Sequence, residues 1–152
     1  MPDRRSFAST SIPTIDAARE ALRHAYADLA EARATTKSDP DRGHMKLREA
    51  AEKGWLAAYT AGRAVIYCSG DPDWETPSYL PKKIREVEDR LGRRRGFARA
   101  VTATASTLHG DCFYRDAKGL CDPGIIEDQL KDLERVLPIG KRICDLSLHR
   151  GR

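Results

Sequence analysis

Residues 98–114 read ARAVTATASTLHGDCFY, and within them Ala98, Val101, Ala105, Leu108 and Cys112 recur at steps of three and four. That spacing aligns side chains along one face of a helix and predicts a helix packed lengthwise against others. The same step runs through Ile15, Ala18, Leu22, Ala25, Leu29 and Ala32, and again through Leu47, Ala51, Gly54, Ala58, Ala61, Val65 and Cys68. It returns in Leu80, Ile84, Val87 and Leu91, and in Ile126, Leu130, Leu133 and Leu137. None of these segments alternates with the two-residue period of a strand. The chain is therefore expected to be all-α, an up-and-down bundle of four to five helices.

At 152 residues the chain has the size of one domain with a real core. With only three Phe and two Trp, that core must be built from Ala, Leu, Ile and Val, which suits closely spaced helices. No apolar run approaches the roughly 18 residues of a membrane span. The opening MPDRRSFASTSIP lacks the apolar centre of a signal peptide, so a cytoplasmic protein without a membrane partner is expected. Cys68, Cys112, Cys121 and Cys144 form no C-x-x-C pair and are expected to be reduced thiols, neither zinc ligands nor a disulfide framework. The excess of 27 Lys and Arg over 23 Asp and Glu is modest and points to an anionic partner.

Capping signals set the boundaries. Thr14 can cap a first helix that runs to about Arg33, and Asp39 followed by Pro40 starts a long second helix reaching Cys68. That helix carries a small-residue seam, Ala51, Gly54, Ala58 and Ala61, and a second stripe of Trp55, Tyr59, Gly62 and Ile66, so it should be central. SGDPDWETPS, residues 69–78, breaks the chain; a short third helix stops at Gly92, and a fourth follows from about Arg95 to Tyr114. Asp122 with Pro123 opens a fifth helix that is expected to end at Pro138. The domain organisation expected is a loose segment over 1–13, the bundle over 14–138 and a short tail over 139–152.

Candidate chemistry is sparse. No metal site is expected, because a di-iron bundle needs inward glutamates with Glu-x-x-His pairs, and the Asp71, Asp73, Glu75 series is interrupted by Pro72 and Pro77. No phosphate-cradling glycine motif occurs, and no cofactor is expected. His109 and Cys112 lie three apart on one helix with Cys112 in the apolar seam, where burial makes a thiol inert; His109 is read as a side chain that hydrogen-bonds within the bundle. The arginine cluster RLGRRRGFAR, with Arg93, Arg94, Arg95 and Arg99, could hold phosphates through forked guanidinium donors. The bland alternative is a solvated junction whose charges pair with Glu86, Glu88 and Asp89.

KGWLAAYTAGRAVI, from Lys53 to Ile66, together with LHGDCFYRD, from Leu108 to Asp116, resembles small prokaryotic members of the HEPN-like helical-bundle superfamily. Lys53, Trp55 and Ala58 match one motif of that group, and Leu108, His109, Phe113 and Tyr114 match the other. The resemblance spans about Thr14 to Leu137. It implies a bundle that is commonly dimeric, and in some branches ribonuclease activity or pairing with a nucleotidyltransferase. The ribonuclease members carry an Arg and a following His with four to six residues between them. Arg19 with His24 and Arg142 with His149 fit that spacing, but composition alone yields about 1.5 such pairs, and His109 has no Arg at that distance.

The reading that follows is a non-enzymatic HEPN-like binding or assembly module with no catalytic residues. It is expected to be a homodimer that uses an alanine-rich helix face for a protein partner and the arginine cluster for an anion or nucleic acid, with His109, Tyr114, Arg93, Arg94, Arg95 and Arg99 as candidate site residues. The alternative is a HEPN-type ribonuclease or nucleotide-handling enzyme with an atypical site around His109.

Overall fold

Thr14 and Asp39 do what their positions promise: the Thr14 hydroxyl accepts from Ala17 N at 3.0 Å and the Asp39 carboxylate from Arg42 N at 3.1 Å, closing two helix N-termini. The computed structural model describes residues 11–77, 79–91, 96–114 and 121–150, without the side chains of Tyr114 and 148–150. Its elements are α1 (Ile15–Thr36), α2 (Pro40–Cys68), α3 (Leu80–Arg90), α4 (Phe97–Ala105), a π-helical continuation of α4 (Ser106–Tyr114), and α5 (Pro123–Arg150). No strand occurs among the described residues, and the fold is an all-α bundle.

α2 is the central element, packed against α1 along its length and also touching α3, α4, the π-helix and α5. The small-residue seam is the reason. Ala50, Ala51, Ala57, Ala58, Ala61 and Ala64 are all fully buried or nearly so, which lets neighbouring backbones come close. The alanine-rich face expected to receive a protein partner is therefore spent inside the bundle.

Side-chain bridges fix the helix directions. Arg33 bonds Glu127 at 2.7 Å and Tyr26 donates to Glu134 at 2.8 Å, so the end of α1 meets the start of α5 and the two run antiparallel. Lys53 Nζ lies 2.5 Å from the buried Asp28 and pins α2 to α1. α3 and α4 are joined differently: the buried Glu88 carboxylate of α3 accepts from the Ala98 backbone N–H in the first turn of α4, whose entry residue Gly96 has φ of 78°.

Two sequence expectations change here. α5 does not end at Pro138 but continues through it to Arg150. An internal proline costs about 3 kcal/mol, and the turns beyond it bury Ile143 and Cys144 and set Gly140 against the ring of the fully buried Phe97. The cysteines are not free thiols either. Cys68 pairs with Cys144, Cα atoms 5.1 Å apart, and Cys112 with Cys121, 4.4 Å apart. The first joins α2 to the half of α5 that follows Pro138; the second ties the π-helix to the segment before α5.

Candidate functional site

One row of α2, Arg48, Glu52, Trp55, Tyr59 and Arg63, lies at steps of four and three and is half-buried throughout. The π-helix supplies its counterpart. Bonding from i to i+5 widens each turn, so residues four apart stand nearly one above the other: Leu108 and Cys112 point into the core while His109 and Phe113 form an outer row.

The two rows interlock. The His109 ring stacks on Trp55 with centroids 4.1 Å apart and planes 18° from parallel. Trp55 in turn stacks on Tyr59 at 5.2 Å, and His109 is parallel to Phe113 at 6.3 Å. His109 Nδ1 is 2.9 Å from Glu52 Oε2; an ionised carboxylate only accepts, so this bond places the proton on Nδ1. A guanidinium closes each end. Arg48 sits 5.5 Å over Phe113 and donates to the Phe113 carbonyl at 2.5 Å, while Arg63 sits 5.6 Å from both Tyr59 and Trp74 and donates to the Trp74 carbonyl at 3.0 Å. Trp74 meets Tyr67 edge to face at 5.3 Å. The result is a ladder of rings and cations along one side of the molecule, whose faces are largely spent on each other.

The residues that the two sequence motifs singled out thus meet in space: Trp55 on His109, and Leu108 against Gly54. His109 does hydrogen-bond within the bundle, at a side-chain exposure of 30%. Arg99 does not converge on it. Arg99 lies ten residues earlier on the same helical run, about 15 Å of rise away, exposed and beside Asp132 and Arg135 of α5. Arg93, Arg94 and Arg95 lie outside the described residues, as does the side chain of Tyr114.

Glu88, expected to pair with the arginine cluster, instead faces inward. Burial raises its pKa; the Ala98 N–H bond opposes that shift, the neighbouring Asp89 adds to it and Arg85 opposes it. In the Asp71 loop the cation is a side chain: Lys83 Nζ lies 2.7 Å from Asp71 and 3.5 Å from Asp73, and its bond holds the Asp71 carboxyl below its usual range. Among the described residues no group of three or more His, Cys, Asp or Glu side chains is placed to hold a metal ion, and no helix is long and apolar enough to cross a membrane.

Sequence reasoning missed Glu52, Arg48, Arg63 and Trp74. The steps of four, seven and four from Arg48 through Glu52 and Tyr59 to Arg63 were a signal for the α2 row, but nothing local announces that Glu52 meets a histidine 57 positions away. Comparison with known protein families, curated proteins and solved structures finds no match for this chain.

Proposed function

We propose that this chain is a non-enzymatic HEPN-like binding and assembly module: a helical bundle that pairs with a second copy of itself and offers the cluster Arg93, Arg94, Arg95 and Arg99 to an anionic or nucleic-acid partner. The engagement of His109 carries this reading. Its ring is stacked against Trp55, and the nearby Cys112 sulfur is buried and held in a disulfide, so no free thiol nucleophile stands beside it. Exposed Arg99 beside the unbroken basic run supports the anionic partner.

Incubating labelled single-stranded RNA with the wild type and with His109→Ala tests the reading. Intact RNA with both proteins is expected. RNA cleaved by the wild type and spared by His109→Ala would overturn it in favour of a HEPN-type ribonuclease, with His109 as the general base and Glu52 orienting its ring.

A further inference from the structure

Where α1 begins, a groove opens that has the Cys68–Cys144 disulfide in its wall. The first turn of α1, from Thr14 to Asp16, forms one side, Tyr67 and Cys68 at the end of α2 a second, and Lys141 and Cys144 of α5 the third. The space is about 260 Å³, smaller than the usual pocket for a drug-sized ligand and enough for one small molecule. Besides the two sulfurs, the titratable groups facing it are Asp16, Tyr67 and Lys141. Asp16 is held by Arg19 at 3.2 Å, whereas Lys141 has no carboxylate partner among the described residues.

Thiol–disulfide exchange needs one sulfur that can be reached and a second that leaves readily as a thiolate. The two sulfurs divide these roles. Cys68 is partly exposed, while Cys144 is buried at 8% exposure. Lys141 stands three residues before Cys144, on the same face of α5, and the facing wall is the N-terminus of a 22-residue helix, its positive end; both favour a thiolate on Cys144. A thiolate on Cys68 instead meets the negative end of α2. The Ala64 carbonyl oxygen lies 3.6 Å from the Cys144 sulfur, an acceptor in place for the released thiol. The other disulfide has no such exit: Cys112 is wholly buried in the core, where burial disfavours a thiolate.

We infer that Cys68–Cys144 is a thiol-exchange site whose substrate is a low-molecular-weight thiol seated in this groove. The thiol, having given its proton to solvent, attacks Cys68 Sγ. A bond forms between the incoming sulfur and Cys68, the Cys68–Cys144 bond breaks, and Cys144 leaves with the electron pair and takes up a proton. The incoming sulfur is oxidised and that of Cys144 is reduced, so no further oxidant or reductant takes part. The adduct is reversible, because Cys144 can attack Cys68 in turn and expel the small thiol.

The test is timed exposure of the folded full chain, purified without reductant, to glutathione and separately to 2-mercaptoethanol, followed by alkylation and peptide mass spectrometry. The small thiol is expected on Cys68 with Cys144 alkylated, at least roughly tenfold faster than Cys112–Cys121 opens. Lys141 is exposed, so Lys141→Glu should keep the melting temperature while slowing the adduct with both thiols at least roughly fivefold. Arg142→Glu, exposed on the same helix but outside the groove, should stay within roughly twofold of the wild type. An adduct on Cys144, faster opening of Cys112–Cys121, or no adduct overturns the site. Lys141→Glu that reacts as fast as the wild type shows that the bond opens only by unfolding and overturns it too, and slowing with the anionic glutathione alone overturns the pairing of Lys141 with the leaving sulfur.

Discussion

Gly54 of α2 lies directly beneath Leu108 of the π-helix: a Cβ placed on Gly54 would come 2.5 Å from Leu108 Cδ1 and 2.7 Å from Leu130 Cδ2. Three elements touch at this point because the middle one has no side chain. Gly54→Leu is expected to destabilise the fold by at least about 1–3 kcal/mol, the usual cost of overpacking a core. Gly110→Ala is the control, since its added methyl meets nothing within 4 Å, and its effect should stay within about 1 kcal/mol. Thermal melts of the two variants beside the wild type check the difference, and equal melting temperatures would refute the packing.

Glu88 links pH to the junction between α3 and α4. Its folded pKa is raised, chiefly by burial, so its contribution to stability is fully present below the unfolded pKa and is lost as pH rises through the folded value. Glu88→Gln keeps an oxygen that can accept from Ala98 N–H but carries no charge to desolvate. It should melt above the wild type at pH 7, with the gap closing near pH 4. Glu88→Ala leaves the Ala98 N–H without its acceptor and should lose about 1–2 kcal/mol at both pH values. A Glu88→Gln variant that gains nothing at pH 7 would show that ionised Glu88 is not penalised.

The helices were readable from sequence because each owes its apolar face to local spacing, and α1, α2 and α5 owe their starts to local caps at Thr14, Asp39 and Asp122, whereas α3 and α4 begin without a side-chain cap. What was not readable depends on interactions between distant segments. Pro138 is a breaker by every local rule, and α5 passes through it because Ile143, Cys144 and Gly140 find partners in the core. Glu88 looked like one more surface charge until α4 brought the Ala98 N–H to it. The cysteines share no local motif, and Cys68 and Cys144 lie 76 residues apart. His109 was picked out by its motif, but its carboxylate partner was not.

The disulfides carry their own expectation. Closing a 76-residue separation constrains the unfolded chain more than closing one of nine, by loop entropy roughly 4.5 against 2.7 kcal/mol. Opening Cys68–Cys144 with the double variant Cys68→Ala/Cys144→Ala should therefore lower the melting temperature more than Cys112→Ala/Cys121→Ala. It should also loosen the part of α5 beyond Pro138, which hydrogen exchange would register as lost protection there. Mass spectrometry after alkylation without reductant should find none of the four thiols modified; four alkylated cysteines in freshly purified protein would refute both bridges.

The arginine cluster separates its two readings by salt. If Arg93, Arg94, Arg95 and Arg99 hold phosphates, labelled single-stranded RNA should bind at low salt, and affinity should fall steeply as salt rises because each neutralised phosphate releases condensed counterions. Arg94→Ala/Arg95→Ala should weaken binding across sequences and flatten the logarithmic salt slope by about 0.7 for each single-strand phosphate that an arginine no longer neutralises. The fold should hardly notice, since exposed ion pairs contribute about 0–1 kcal/mol. Arg99→Ala gives a finer reading: its neighbours Asp132 and Arg135 belong to α5, and Arg135 is already bonded to Asp132 at 2.8 Å. Removing Arg99 should therefore cost nucleic-acid affinity without breaking that pair. Wild-type protein that binds neither RNA nor duplex DNA at low salt would leave the cluster a solvated junction and self-assembly as the remaining role of the bundle.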